Sequence, residues 1–272
     1  RDPQCRGMIA ALQMYDWPEV HVDTDRFWTR IANALRERGM DAPTVLSRPA
    51  DLSAPWTDPD LVLGQTCGLP YVSGRCADAF LVGRPVFDME GANGGSYASA
   101  LVCRIDDPAT GLSGFRGRVV AINEYGSQSG CNALADAVLD NHTNNKVPFF
   151  HRIEVSGAHR NSASMVAKGQ ADIAAIDAVA WALYGATEPK NRAKLRVLSW
   201  TRPMPALPYI TAARFADRTT DLLAALQAAT QGHDLAMFPI GVKESIDSDY
   251  DPIRKMAARV KGVKLAMDAV EI

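Results

Sequence analysis

The sequence predicts an α/β chain of two lobes, the second inserted into the first. Two observations carry that expectation. A unit of short apolar strand, polar turn and helix recurs along the 272 residues, beginning near Met8, Val119, Ile153 and Asp172, which is the pattern of sheets covered by helices. Two connections, the polar Asp106 to Ser113 with Pro108 and Gly111 and the proline-rich Thr201 to Pro208, set the intervening segment apart from both flanks. The expected division is residues 8–105 with 206–272 as the first lobe and 106–205 as the second.

Taken in order, Met8 to Met14 reads as a buried first strand. Tyr15-Asp16-Trp17-Pro18 stops it with a loop of two aromatics and a carboxylate, at the strand end where α/β proteins bind ligands. From Asp25 to Arg38, Phe27, Ile31, Ala34 and Leu35 share one helical face, and Gly39 follows as the stop signal. Val45-Leu46 and Leu61-Val62-Leu63 are the next strand candidates. The second runs into Gly64-Gln65-Thr66-Cys67-Gly68, another strand-end loop that carries donor groups. Phe80 to Phe87 and Tyr97 to Arg104 read as extended, joined by a turn at Gly91 to Gly95 that lacks the Lys-Ser/Thr of a nucleotide-binding loop.

Val119 to Ile122 forms a β-branched strand and Cys131 to Leu139 has helical spacing, so Ser127-Gln128-Ser129-Gly130 falls at a helix N-terminus. The first amides of a helix have no intrahelical acceptor and the dipole there is positive, which suits an anion. A serine at this place also serves as an ordinary N-cap, and both readings stand. Ile153 to Val155, the turn Ser156 to Ser162 and a helix from Ala163 to Lys168 ending at Gly169 repeat the pattern. Ser156 and His159 thus offer a second donor set, or His159 is a capping or surface histidine. Asp172 to Asp177 is an apolar strand ended by a carboxylate, which either caps the helix Val179 to Tyr184 or meets a cationic or protonated ligand group. Leu195 to Trp200 and Tyr209 to Ala212 are further strands and Asp221 to Ala229 a helix. Tyr250 to Val260 is a closing helix, expected to pack on the first lobe.

Composition narrows the function. With 29 basic and 31 acidic residues and a net charge of −2, the chain has no charge field suited to nucleic acid or an anionic membrane. There is no apolar run of the length a membrane span needs. The five cysteines, Cys5, Cys67, Cys76, Cys103 and Cys131, show no zinc spacing. Cys67 and Cys76 are placed to close a short loop in an oxidising compartment, and Cys131 is either a reactive thiol at a helix start or a buried inert one. Arg1 to Gly7 is polar and precedes Met8, which begins the first apolar run and reads as a natural start, the residues before it being an added leader or an alternative start. Gly126-Ser127-Gln128-Ser129-Gly130 has glutamine where a nucleophile elbow needs serine, so a hydrolase reading fails. Asp172 and Asp177 lie at odd spacing on one strand and face opposite sides, so they cannot act as a catalytic pair. What remains is a set of neutral donors and one carboxylate, suited to binding, with no catalytic residue and no cofactor expected.

Five segments resemble, in order, those of the phosphate/phosphite/phosphonate-binding proteins of ABC importers: Gly64-Gln65-Thr66-Cys67-Gly68, Ser127-Gln128-Ser129-Gly130, Ser156-Gly157-Ala158-His159, Asp172 to Asp177, and Leu207-Pro208-Tyr209-Ile210-Thr211. The likeness runs from about Met8 to about Val260. It implies a type II periplasmic-binding fold, each lobe a mixed sheet flanked by helices, with two crossover connections and an anion held in the interlobe cleft. It implies a small phosphorus oxyanion as ligand, a permease as partner, a monomeric state, and a periplasmic location, or a cytoplasmic one if no leader was removed. The ligand set it implies is Tyr15, Gln65, Thr66, Ser127, Gln128, Ser129, Ser156, His159, Asp177 and Tyr209, with Gln128 placed to tune which anion is bound. No lipoprotein cysteine is assigned, because Cys5 follows no hydrophobic segment. The alternative is a cytoplasmic enzyme or a ligand sensor built on the same fold.

Overall fold

The computed structural model describes residues 7–141 and 147–267; Cys5 lies outside them. In chain order the elements are β1 (Ile9–Ala11), α1 (His21–Glu37), β2 (Leu61–Gln65), α2 (Gly68–Val72), β3 (Ala79–Val86), β4 (Asp88–Met89), β5 (Ala92–Asn93), β6 (Ser96–Tyr97), β7 (Ser99–Arg104) and β8 (Val119–Ile122). There follow α3 (Ala133–Asn141), β9 (Arg152–Val155), α4 (His159–Ala167), β10 (Ile173–Asp177), α5 (Ala178–Thr187), α6 (Pro189–Arg192), β11 (Leu195–Trp200), β12 (Met204–Pro205), β13 (Tyr209–Ala212), α7 (Thr219–Ala229), β14 (Gly241–Lys243) and α8 (Asp251–Val260).

Two compact units divide the chain. The first holds the described residues up to Asp88 together with Pro205–Asp251. Its five-stranded sheet has the order β1-β2-β13-β3-β14, with β1 and β2 parallel and β13 antiparallel to β2 and β3. Every residue of β2 is buried, the mark of a strand covered on both faces. Phe27, Trp28, Ile31 and Leu35 of α1 join its core, and Gly39, at φ +69°, ends that helix with its amide on the Arg36 carbonyl.

The second unit holds Met89–Met204 and the described residues from Pro252 onward. Its sheet has the order β11-β7-β10-β8-β9. β10 runs parallel to β8 and antiparallel to β7, so the sheet is mixed. Leu101, Phe115, Val120, Leu134, Phe149 and Ile173 form its core. Gly91, between β4 and β5, stands at φ +81°, and a Cβ there would lie 2.2 Å from the Trp200 ring, so the tight approach requires glycine.

The division differs from the expected one in two places. The chain leaves the first unit after Asp88, earlier than residue 105, because β7 is hydrogen-bonded to both β10 and β11 and cannot be separated from that sheet. It also crosses a third time, after Asp251, so α8 belongs to the second unit: Val260 lies in that unit's core and Arg259 pairs with Asp136 and Asp140 of α3. The apolar stripe of α8 identified a buried face but carried no information on which core takes it. Val45-Leu46 is not a strand; bracketed by Pro43 and Pro49, the segment keeps one strand-like bond, from the Ser47 amide to the Ala10 carbonyl at 2.7 Å. No disulfide forms among the described residues: Cys67 and Cys76 are not joined, and Cys76 Sγ lies 3.7 Å from Thr66 Oγ1.

Candidate functional site

In the second unit, β8 ends at Ile122 and the chain turns through Asn123 to Ser127 into a wide helical turn, Gln128–Asn132, that leads directly into α3. Ser127 is the N-cap, its Oγ accepting the Gly130 amide at 3.0 Å. The amides of Gln128 and Ser129 stand one and two residues past that cap, where a helix has no acceptor of its own to offer. Ser127 thus takes the capping role while leaving the helix start suited to an anion.

Beside this turn α4 begins at His159 itself, four residues earlier than the spacing suggested. His159 Nε2 lies 2.8 Å from Ser129 Oγ. Part of the residue reaches solvent, but Nδ1 is enclosed and makes no hydrogen bond of ordinary geometry, with the Ala175 backbone alongside. Burial pushes the imidazole down from 6.5 to about 4, the Ala175 backbone opposing only in part, so the ring is neutral at pH 7. Gly130 makes this close packing feasible, because a Cβ there would sit 1.8 Å from Asn123 Oδ1 and 3.2 Å from His159 Cε1.

Asp177 ends β10 opposite Ser99 of β7. Its Oδ1 accepts the amides of Val179 and Ala180 at 2.8 and 3.2 Å, so the carboxylate caps α5. The Ser99 hydroxyl donates to the Ser129 carbonyl at 2.9 Å, and the Ser99 amide donates to Thr201 Oγ1 at 2.9 Å. These bonds tie the strand ends of β7 and β11 to the helix start. Beside Ser129 the chain leaves only a shallow dimple without room for a water molecule, edged by Tyr97, Ala98, Ala133 and Met204, with Ser99, Thr201 and Arg202 among its other residues.

Gln128 departs from its expected role. The residue is fully buried; its amide nitrogen points at Met256 Sδ at 3.0 Å and its carbonyl accepts from Asn132 at 3.3 Å. The side chain is committed to the core of the second unit, which leaves only its backbone amide for a ligand. Ser156 is likewise engaged locally, its hydroxyl on the Ala158 carbonyl at 3.0 Å and 2.7 Å from Ser162 Oγ. Cys131 is inert: it is buried, and burial raises its thiol to about 12.

The first unit brings three of the other named residues together. Gln65 ends β2 in register with Tyr209 of β13, and its amide nitrogen reaches toward the Leu207 carbonyl at 3.5 Å. The Thr66 amide donates to the Pro208 carbonyl at 3.2 Å. Tyr209 is buried, which raises its phenol. Tyr15, beyond the end of β1, packs edge-on against Phe87 with centroids 6.0 Å apart. Among the described residues no cluster of metal-binding side chains occurs, and no helix is long and apolar enough to cross a membrane.

Ser99, Thr201 and Arg202 were not among the candidate binding residues read from sequence. Thr201 had a signal, since it directly follows a strand, as Ser156 does. Ser99 had none, because its place depends on β7 lying antiparallel to β10.

Proteins of known structure share this fold. The fold matches a binding protein component of an ABC phosphonate transporter from Pseudomonas aeruginosa, at 15% identity over 92% of this chain and 84% of that one, with a TM-score of 0.71. It also matches a Prochlorococcus marinus protein solved in complex with methylphosphonate, at 15% identity, 93% and 98% coverage and a TM-score of 0.70. A Xanthomonas citri protein bound to chloride ion matches at 16% identity, 92% and 96% coverage and a TM-score of 0.68. No curated protein matches in sequence. These likenesses show the two-lobe α/β fold of type II periplasmic binding proteins. Residues 61–249 match the family described as ABC transporter, phosphonate, periplasmic substrate-binding protein. The chain belongs to that family, one of binding proteins and not of enzymes.

Proposed function

We propose that the chain captures a small phosphorus oxyanion, a phosphonate, phosphite or phosphate, and delivers it to a transporter permease, acting as a monomer in the periplasm. The observation that carries this reading is the pairing of Ser129 Oγ with a neutral His159 at the positive start of a helix. Helix-start amides and neutral side-chain donors hold an oxyanion without a competing counter-ion. The family match and the fold neighbour solved with methylphosphonate support the choice of phosphorus over other anions. Within this reading Ser129, His159 and the amide of Gln128 hold the anion, Ser127 and Ser156 shape the two turns, and Asp177 fixes the start of α5. The resemblance adds Tyr15, Gln65, Thr66 and Tyr209 as ligand contacts.

Titration calorimetry of ligand-free protein against phosphate, phosphite, methylphosphonate and 2-aminoethylphosphonate tests it. Saturable heat with at least one is expected. Absence of heat with all four overturns the assignment.

A further inference from the structure

The buried side chain of Gln128 serves the anion site without touching a ligand, a role that rests on the proposed function. The turn Gln128–Asn132 is wider than an α-helical one: the Ser127 carbonyl accepts the Asn132 amide, five residues on, at 3.0 Å and the Cys131 amide at 3.3 Å. Single wide turns of this kind are uncommon in helices and are frequent at functional sites, so the fold must favour this one specifically. Gln128 spans it. Its Oε1 accepts from Asn132 Nδ2 at 3.3 Å, and its Nε2 donates to Met256 Sδ of α8 at 3.0 Å. Gln128, Asn132 and Met256 are 0%, 1% and 4% exposed, so bulk water does not stand in for a lost partner. Turning the amide over would set nitrogen against the Asn132 nitrogen and oxygen against sulfur, so the two partners fix one orientation. α8 is itself held to α3 by Arg259 on Asp136 and Asp140.

We propose that Gln128 is a positioning residue: bridging Asn132 and Met256, its buried amide holds the turn wide and so aims the Gln128 and Ser129 amides and the Ser129 hydroxyl at the anion. The bridge joins the first residue of the turn to the last, whose own amide makes the five-residue bond. Ser99, donating to the Ser129 carbonyl at 2.9 Å, pins the middle of the same turn. Donors fixed in this way need no rearrangement when an oxyanion arrives, which is what preorganisation contributes to affinity. A side chain of equal reach without an amide would leave Asn132 Nδ2 enclosed and without this acceptor, and the turn would relax to find it another.

Gln128→Met keeps the length and apolar bulk of the side chain and removes its amide. Calorimetry with the best-bound of phosphate, phosphite, methylphosphonate and 2-aminoethylphosphonate, and amide hydrogen exchange of the ligand-free full chain, compare it with the wild type. Binding is expected to weaken at least about tenfold, the lower end of the loss when a residue that orients a ligating group is removed from a metal site. Exchange is expected to quicken about tenfold at the Gly130 and Asn132 amides, which are bonded to Ser127, the scale of one hydrogen bond. It is expected to stay unchanged at Val120 and Ala121 of β8, between β9 and β10. Should that variant not fold, Met256→Leu takes away only the weak sulfur acceptor and is expected to show both changes at about threefold. Unchanged affinity in the folded variant overturns the inference. Weaker binding with unchanged exchange in the turn also overturns it, as does exchange quickened equally along β8, which marks a general loss of stability. Failure of the wild type to bind any of the four oxyanions overturns the proposed function, and this role with it.

Discussion

The hydroxyl of Ser129 lies 2.8 Å from Nε2 of His159, joining the turn that starts α3 to the first residue of α4. Each side chain fixes the other's direction; a neutral imidazole has one N–H, and when Nε2–H donates to Ser129 Oγ the serine hydroxyl keeps its own proton as the pair's one donor for a ligand. Ser129→Ala removes one donor and frees the imidazole to rotate. The expected outcome is about 10- to 100-fold weaker binding of the best oxyanion, the range for a hydrogen bond to a charged partner. Calorimetry reads the affinity, and an unchanged unfolding midpoint shows that the fold is intact.

His159 also makes stability depend on pH. Its imidazole is held at about 4 against an ordinary value of 6.5. Between those values the unfolded chain binds the proton and the folded chain does not, so stability is fully present above pH 6.5 and is lost as pH falls toward 4. The loss amounts to at most about 3 kcal/mol, less what the partly exposed residue regains from solvent. Urea unfolding at pH 7 and pH 4.5 measures it for the wild type and for His159→Gln. The variant is expected to show a shallower pH dependence; an equal slope in both would contradict the neutral buried ring.

Gly130 is where the turn permits no side chain. A Cβ there meets Asn123 Oδ1 at 1.8 Å and Asn123 Cγ at 2.8 Å. Gly130→Ala therefore forces Asn123 aside, beside the His159 ring. A destabilisation of about 1–3 kcal/mol is expected, the usual cost of overpacking, together with weaker ligand binding. Adding Asn123→Gly removes the obstructing atoms and is expected to restore most of the stability in urea unfolding. A double variant as unstable as the single one would place the strain elsewhere.

How much of this was legible in sequence depended on whether the cause was local. The strand-turn-helix units were legible, because β8 and β10 are each an apolar run followed by a capping residue and a helical pattern, and those signals lie within about ten residues. The Ser127 cap and the candidate anion site at Ser129 followed from the same local rule. What was not legible depended on packing. Gln128 looked like a ligand contact because it follows the cap, yet it turns inward to Met256 and Asn132, and Met256 is distant in the chain. Asp177 was read as cap or ligand group, and only the two amide distances show that capping occupies its Oδ1. The place of α8 was misassigned for a related reason, since Arg259 finds Asp136 and Asp140 through the fold and not through spacing.

That last cluster yields a sharp test of coupling. Asp136 on α3 has a side chain only 5% exposed and is paired with both Arg202, at 3.2 Å, and Arg259, whose own side chains are 54% and 40% exposed. Removing one arginine leaves the buried carboxylate with the other, so Arg202→Gln and Arg259→Gln are each expected to cost about 1 kcal/mol or less, as for a partly exposed pair. Removing both leaves a buried carboxylate without a counter-ion, which costs about 3 kcal/mol or more. The double variant should therefore lose clearly more stability than the sum of the singles, an interaction that a double-mutant cycle in urea measures directly. Simple additivity would show that solvent, and not the arginine pair, neutralises Asp136. A ligand affinity lowered in the double variant but not in the singles would further show that this cluster holds α3, and with it the Ser129 turn, in its binding position.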